Sequence, residues 1–153
     1  MKHIGDVLLE APATDEKIAS AMAEAFGVDR VTVWPMAQVA DPDVDLLVER
    51  DTQPGDFPFV LTLGATPRSG LDSLTDEQVV ARLRLLAQRL GQSFLTDAAG
   101  ITPVFDDDFL LVSPSGDSIV VQVTFDGLSE GRIALTPESR RRRARLMATP
   151  LAG

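Results

Sequence analysis

The sequence predicts an α+β fold: a single domain on antiparallel sheet, with two main helices and a short C-terminal helix. Three observations carry this reading. Two segments show the 3.6-residue apolar period with a cap at each end, and short alternating apolar segments lie between and after them. The strands come in groups separated by single helices, which argues for antiparallel neighbours rather than repeated βαβ units. No repeat or low-complexity tract is present, and the loop from Gly64 to Gly70 is too short to divide the chain. Residues 1–135 therefore read as one domain and residues 136–153 as a basic C-terminal helix or tail.

The first helix follows Thr14, whose hydroxyl suits an N-cap. Asp15 and Glu16 lie in the dipole-favoured first turn, and Gly27 is its stop. Ile18, Met22 and Phe26 at spacing four, with Ala21 and Ala25, make one apolar stripe. Val7-Leu8-Leu9 reads equally as a short strand or as a lead-in to that helix. Three strands are expected next: Val31 to Trp34, Val44 to Arg50 after Asp41-Pro42-Asp43, and Phe57 to Leu63. The first stops at Pro35, which offers no N–H to a ladder. In the third, Phe57, Phe59, Leu61 and Leu63 alternate on one face, and Gln53-Pro54-Gly55-Asp56 forms the turn before it.

The second helix carries the clearest signals. Thr75 and Gln78 have capping-box spacing, Leu74 and Val79 that of a hydrophobic staple, and Val79, Leu83, Leu86 and Leu90 mark the buried stripe. Gly91 closes the helix, and Arg82, Arg84 and Arg89 fall to the solvated side. After Ser93 to Thr96 and a loop through Pro103, Phe109 to Val112 turns at Pro114-Ser115-Gly116-Asp117 into the alternating run Ile119, Val121, Val123 and Phe125. Ile133 to Leu135 is the third strand of that meander. Thr136 and Pro137 then start a short helix holding Arg140 to Arg143 and Arg145.

Composition removes several classes of function. At 153 residues and 44% hydrophobic content the chain can bury a core without staples, and it has no cysteine for a disulfide, thiolate or thiol nucleophile. The start, Met1-Lys2-His3-Ile4-Gly5-Asp6, meets acid too early for a signal peptide, and no apolar run is long enough to span a membrane, so a cytoplasmic location is expected. Charge is unevenly placed: residues 1–135 carry a net −13 and residues 136–153 a net +4. Such a body repels nucleic-acid phosphate and anionic lipid and attracts basic partners. The arginine run is expected to be solvated or docked on the protein's own acids.

Catalytic chemistry is short of material by the same residue-level tests. His3 is the sole histidine, so base-assisted nucleophilic catalysis and zinc chemistry lack material. Asp41, Asp43 and Asp45 begin like a calcium loop, but Leu46 stands at the required glycine and Thr52 at the bidentate glutamate. Residues 64–70 lack the Gly-Lys-Ser/Thr ending of a phosphate loop. Carboxylate pairs remain open among 23 acids, but 5% aromatic content and no tyrosine argue against a sugar-cleaving cleft. No catalytic, cofactor-binding or metal-binding residue is therefore expected, and no cofactor.

The candidates are acidic positions for a basic protein partner: Asp41, Asp43, Asp45, Glu49, Asp51, Asp106, Asp107 and Asp108. Three features occur together over residues 55–135: Gly55-Asp56-Phe57-Pro58-Phe59 before a strand, the helix end Leu86-Ala87-Gln88-Arg89-Leu90-Gly91, and the hairpin at Ser115-Gly116-Asp117. In this pattern the chain resembles small bacterial immunity and antitoxin-type proteins. The resemblance implies a non-enzymatic inhibitor of a basic toxin or effector. In size, charge and order of elements the chain also resembles type III secretion chaperones, which implies binding of an effector segment. A small acid-based hydrolase is the third reading. The sequence does not separate a monomer from a homodimer.

Overall fold

The computed structural model describes residues 2–35, 44–97, 108–126 and 132–148. Eight strands form one sheet in the order β2-β3-β4-β1-β5-β6-β7-β8, and three helices pack on it. The strands are β1 (Lys2–Leu9), β2 (Val31–Pro35), β3 (Leu46–Thr52), β4 (Phe59–Ala65), β5 (Phe94–Thr96), β6 (Asp108–Val112), β7 (Ser118–Asp126) and β8 (Arg132–Leu135). The helices are α1 (Asp15–Phe26), α2 (Asp76–Leu90) and α3 (Pro137–Ala148). The expected α+β class holds. Among the described residues no helix is long and apolar enough to cross a membrane.

Local chemistry fixes the two main helices as expected. Thr14 Oγ1 accepts the Lys17 N–H at the start of α1, and Thr75 and Gln78 exchange both bonds of a capping box at the start of α2. Each helix ends on a left-handed residue, Gly27 at φ 67° and Gly91 at φ 71°, where a Cβ would be strained. Ile18, Met22 and Phe26 of α1 meet Val79, Leu83, Leu86 and Leu90 of α2 over one face of the sheet. That face contributes Val7, Leu9, Leu46, Val48, Leu61, Leu63, Phe94 and Val112. Each fully buried Leu, Met or Phe contributes about 1.5–3 kcal/mol, so this cluster dominates the fold.

Two elements differ from expectation, and one that the sequence left open is settled as a strand. Val7-Leu8-Leu9 is the end of the eight-residue strand β1, which lies inside the sheet between β4 and β5. Lys2, His3 and Asp6 mask the apolar alternation in its first half. Next, β2 and β3 run parallel, whereas every other neighbouring pair is antiparallel. The Arg30 carbonyl accepts the N–H groups of Asp45 and Leu46 and so starts β3 alongside β2. Residues 36–43 of the connection, where the sequence places an Asp41-Pro42-Asp43 turn, lie outside the described residues.

Phe57 is the second difference. It precedes β4 and packs with Leu8 on the sheet face opposite Leu61 and Leu63. The loop from residue 53 to 58 is closed by Gln53, whose backbone N–H and side-chain amide donate to Pro58 O and Phe57 O at 2.9 Å each. Strand alternation therefore starts only at Phe59.

The second face carries its own apolar cluster: Leu8, Phe57, Leu95, Leu111, Val121, Val123 and Leu135. Helix α3 contacts β7 and β8 and lies on this side. Thr136 Oγ1 accepts the Ser139 N–H at its start, as the sequence expects of a capping residue. Ser139, fully buried, accepts the Gln122 backbone N–H at 2.8 Å, which fastens α3 where β8 leaves β7 unpaired.

Candidate functional site

Strand register assembles a polar row across four strands. Trp34 of β2 pairs with Glu49 of β3, Glu49 with Thr62 of β4, and Thr62 with Asp6 of β1. Residues paired in register share a face, and successive strands stand about 4.8 Å apart. The row lies opposite α1 and α2, because Val33, Val48, Leu61, Leu63 and Val7, its sequence neighbours, all pack into the helix-side cluster. Asp51, two residues beyond Glu49, extends the same face. Arg50 between them points the other way and pairs with Asp15 of α1 at 3.0 Å.

The row is undersupplied with partners. Trp34 Nε1 and Asp6 Oδ1 are both buried and lack a hydrogen bond, and they are two of three such side-chain atoms among the described residues. The third, Ser93 Oγ, lies at the start of β5. Native structures leave few buried polar atoms unpaired, so two on one row set it apart from the rest of the described structure. His3 Nε2 stands 4.0 Å from Asp6 Oδ1, too far for a hydrogen bond. Asp97 adds a fourth carboxylate at the row's end, its Oδ1 accepting the Asp6 N–H at 2.8 Å. Among the described residues no ion pair engages Glu49, Asp51 or Asp97. Beside the row a hollow of about 150 Å³ is lined by His3, Leu47, Glu49, Thr62, Leu63 and Gly64.

The eight acidic positions expected from sequence are dispersed by this geometry. Glu49 and Asp51 are brought together on the row's face. Asp45 is engaged elsewhere: its carboxylate accepts the Arg30 N–H at 3.1 Å and pairs with Arg68 at 3.4 Å, holding β2 and the turn after β4. Asp108 departs from the expected surface position. It is buried at 9% exposure and accepts the Gln122 side-chain amide at 3.1 Å, because β6 lies inside the sheet. Asp41, Asp43, Asp106 and Asp107 lie outside the described residues. Trp34, Thr62, Asp6 and Asp97 were missed by sequence reading. Alternation within β2 and β4 places their side chains opposite the apolar ones, but no local signal says which strands are neighbours.

Other concavities offer less chemistry. A groove of about 480 Å³ beside the start of α1 is lined by Leu9, Ile18, Phe59, Leu61 and the Arg50–Asp15 pair. It combines an apolar floor with an ion pair already made. Arg82, Arg84 and Arg89 tie α2 to its neighbours: Arg82 to Ala25 O, Arg84 to Ser118 Oγ and Arg89 to Glu24. Among the described residues no group of three or more histidine or carboxylate side chains is placed to hold a metal ion. Compared with known proteins, the chain matches no family model, no curated protein and no solved structure.

Proposed function

We propose that this chain is a non-enzymatic, acidic protein-binding module acting in the cytoplasm, an immunity-type inhibitor that covers a basic toxin or effector. The observation that carries the reading is the Trp34–Glu49–Thr62–Asp6 row. It sets carboxylates on one sheet face with an unpartnered indole donor and an unpartnered carboxylate oxygen. A lysine or arginine side chain supplies the cation that Glu49 and Asp51 lack among the described residues and a donor for Asp6 Oδ1, and a carbonyl of the same segment accepts from Trp34. Charge-assisted bonds of this kind contribute about 1.5–3 kcal/mol each. The uneven charge of the chain steers a basic partner toward the body and away from the C-terminal segment.

A pull-down from source cells at low and at high salt, with wild type and the E49Q/D51N double variant side by side, tests the proposal. The expected result is one basic protein that is retained at low salt, released at high salt and captured at least about tenfold more weakly by the variant. Equal capture by both forms overturns the proposal. Capture of a disordered effector segment would replace it with the secretion-chaperone reading. A hydrolytic activity lost on a single acid-to-amide change would replace it with an enzymatic one.

A further inference from the structure

On an uninterrupted strand, residues three apart point to opposite faces, because side chains alternate. His3 and Asp6 nevertheless share a face. His3 pairs with Gly64 and Asp6 with Thr62, and the register shift between His3 and Gly5 inserts one extra residue, a β-bulge. The bulge therefore re-aims His3 onto the row. Gly64 pairs with both His3 and Leu47, so it leaves open the space that any side chain at that position would enter. Here lies the hollow of about 150 Å³, lined among the described residues by His3, Leu47, Glu49, Thr62, Leu63 and Gly64. Leu47 and Leu63 are buried, but Glu49, Thr62 and Gly64 are half-buried and the His3 side chain is 59% exposed, so the hollow opens to the surface. At roughly 30 Å³ per water it holds about five, the scale of one side-chain tip rather than of a metabolite site of roughly 300–1,000 Å³. Its polar groups are unengaged. Among the described residues Glu49 has no ion pair, Thr62 Oγ1 no hydrogen bond, and Asp6 Oδ1 beside them no donor.

We propose that this hollow is the socket for one arginine side chain of the basic partner. The inference rests on the reading of the row as a partner surface, and narrows it to one kind of cation at one place. A guanidinium is planar, keeps its charge at all working pH values and carries five N–H donors in a fixed fork. The Glu49 carboxylate takes two of them side by side, Thr62 Oγ1 and Asp6 Oδ1 accept from the edges left over, and the His3 ring offers a flat face to the guanidinium plane. A lysine ammonium is a strongly hydrated point charge with three donors, and it leaves part of this acceptor set unused. Arginine is therefore preferred.

Two probes of equal charge test it, N-acetyl-arginine methylamide and its lysine counterpart, titrated at constant ionic strength into the ¹⁵N-labelled full chain. The arginine probe is expected to shift the amides of Glu49, Thr62 and Gly64 saturably, with a Kd on the order of millimolar. The lysine probe should bind at least about fivefold more weakly. Glu49→Gln removes the fork's acceptor and Gly64→Val fills the hollow, so each should abolish the arginine preference. Unchanged α1 and α2 amides report an intact fold in both, and Glu49→Gln alone decides the matter if Gly64→Val does not fold. Equal shifts from the two probes, no shift from either, or an arginine preference that survives Glu49→Gln overturns the inference. In the pull-down, Gly64→Val should weaken capture of the basic partner at least about tenfold with Glu49 and Asp51 in place. Capture that is undiminished by Gly64→Val but lost in E49Q/D51N overturns the socket and leaves the row standing. Capture undiminished in both overturns the row as well.

Discussion

On the sheet face opposite α1 and α2, the strands β5 to β8 carry an apolar cluster, and an arginine-rich helix packs against β7 and β8. The strands β2, β3, β4 and the first half of β1 carry a polar, acidic row and no described helix. Both regions present carboxylates. In one, Glu10 and Asp56 meet Arg143 and Arg140 of the same chain; in the other, Glu49 and Asp51 meet no cation among the described residues. The difference teaches how the molecule handles its own charge. Where an acid lies within reach of α3, the chain supplies the cation itself. On the row, Glu49 and Asp51 have no such cation among the described residues, and the neighbouring indole N–H has no acceptor.

A mutation series can break this contrast or sharpen it. The largest effect belongs to hydrophobic docking on the helix side: Leu86→Ala, at a fully buried position, should cost about 2–5 kcal/mol in urea unfolding and be nearly independent of salt. Ser139→Ala comes next, at about 1–3 kcal/mol, because it leaves the Gln122 N–H without its partner at the edge of β7. Glu10→Gln should cost no more than about 1 kcal/mol, and that cost should vanish at high salt, since the pair is partly exposed. The smallest effect is expected on the bare row. E49Q/D51N should change stability by less than about 0.5 kcal/mol, because no described ion pair is lost. A loss comparable to that of Leu86→Ala would show the row to be structural and erase the contrast.

How much of this was legible in the sequence follows from the range of each interaction. Caps, stripes and stops of α1 and α2 were readable because their signals lie within four residues of one another, as with Thr75 and Gln78. The meander β6 to β8 was readable from its alternation and from the turn at Gly116. The parallel pairing of β2 with β3 was not, since register between distant strands leaves no local mark. The same blindness scattered the candidate site. Glu49 and Asp51 were found because they cluster in sequence, whereas Asp6 and Thr62 reach Glu49 only through pairing across three strands. Asp108 misled because an acidic run looks like a solvated turn, and the hydrogen bond from Gln122 that allows its burial comes from the next strand.

The most direct measurement uses the chain's single tryptophan as its reporter. Titrating the captured basic partner into the ¹⁵N-labelled full chain reads the Trp34 indole N–H cross-peak together with the amides of Glu49, Thr62 and Asp6. If the unpaired donors and acceptors of that row are where recognition happens, these four signals move together on binding and stay still in E49Q/D51N. Shifts gathered instead on the outer surfaces of α1 and α2, with the indole signal unmoved, would contradict that account.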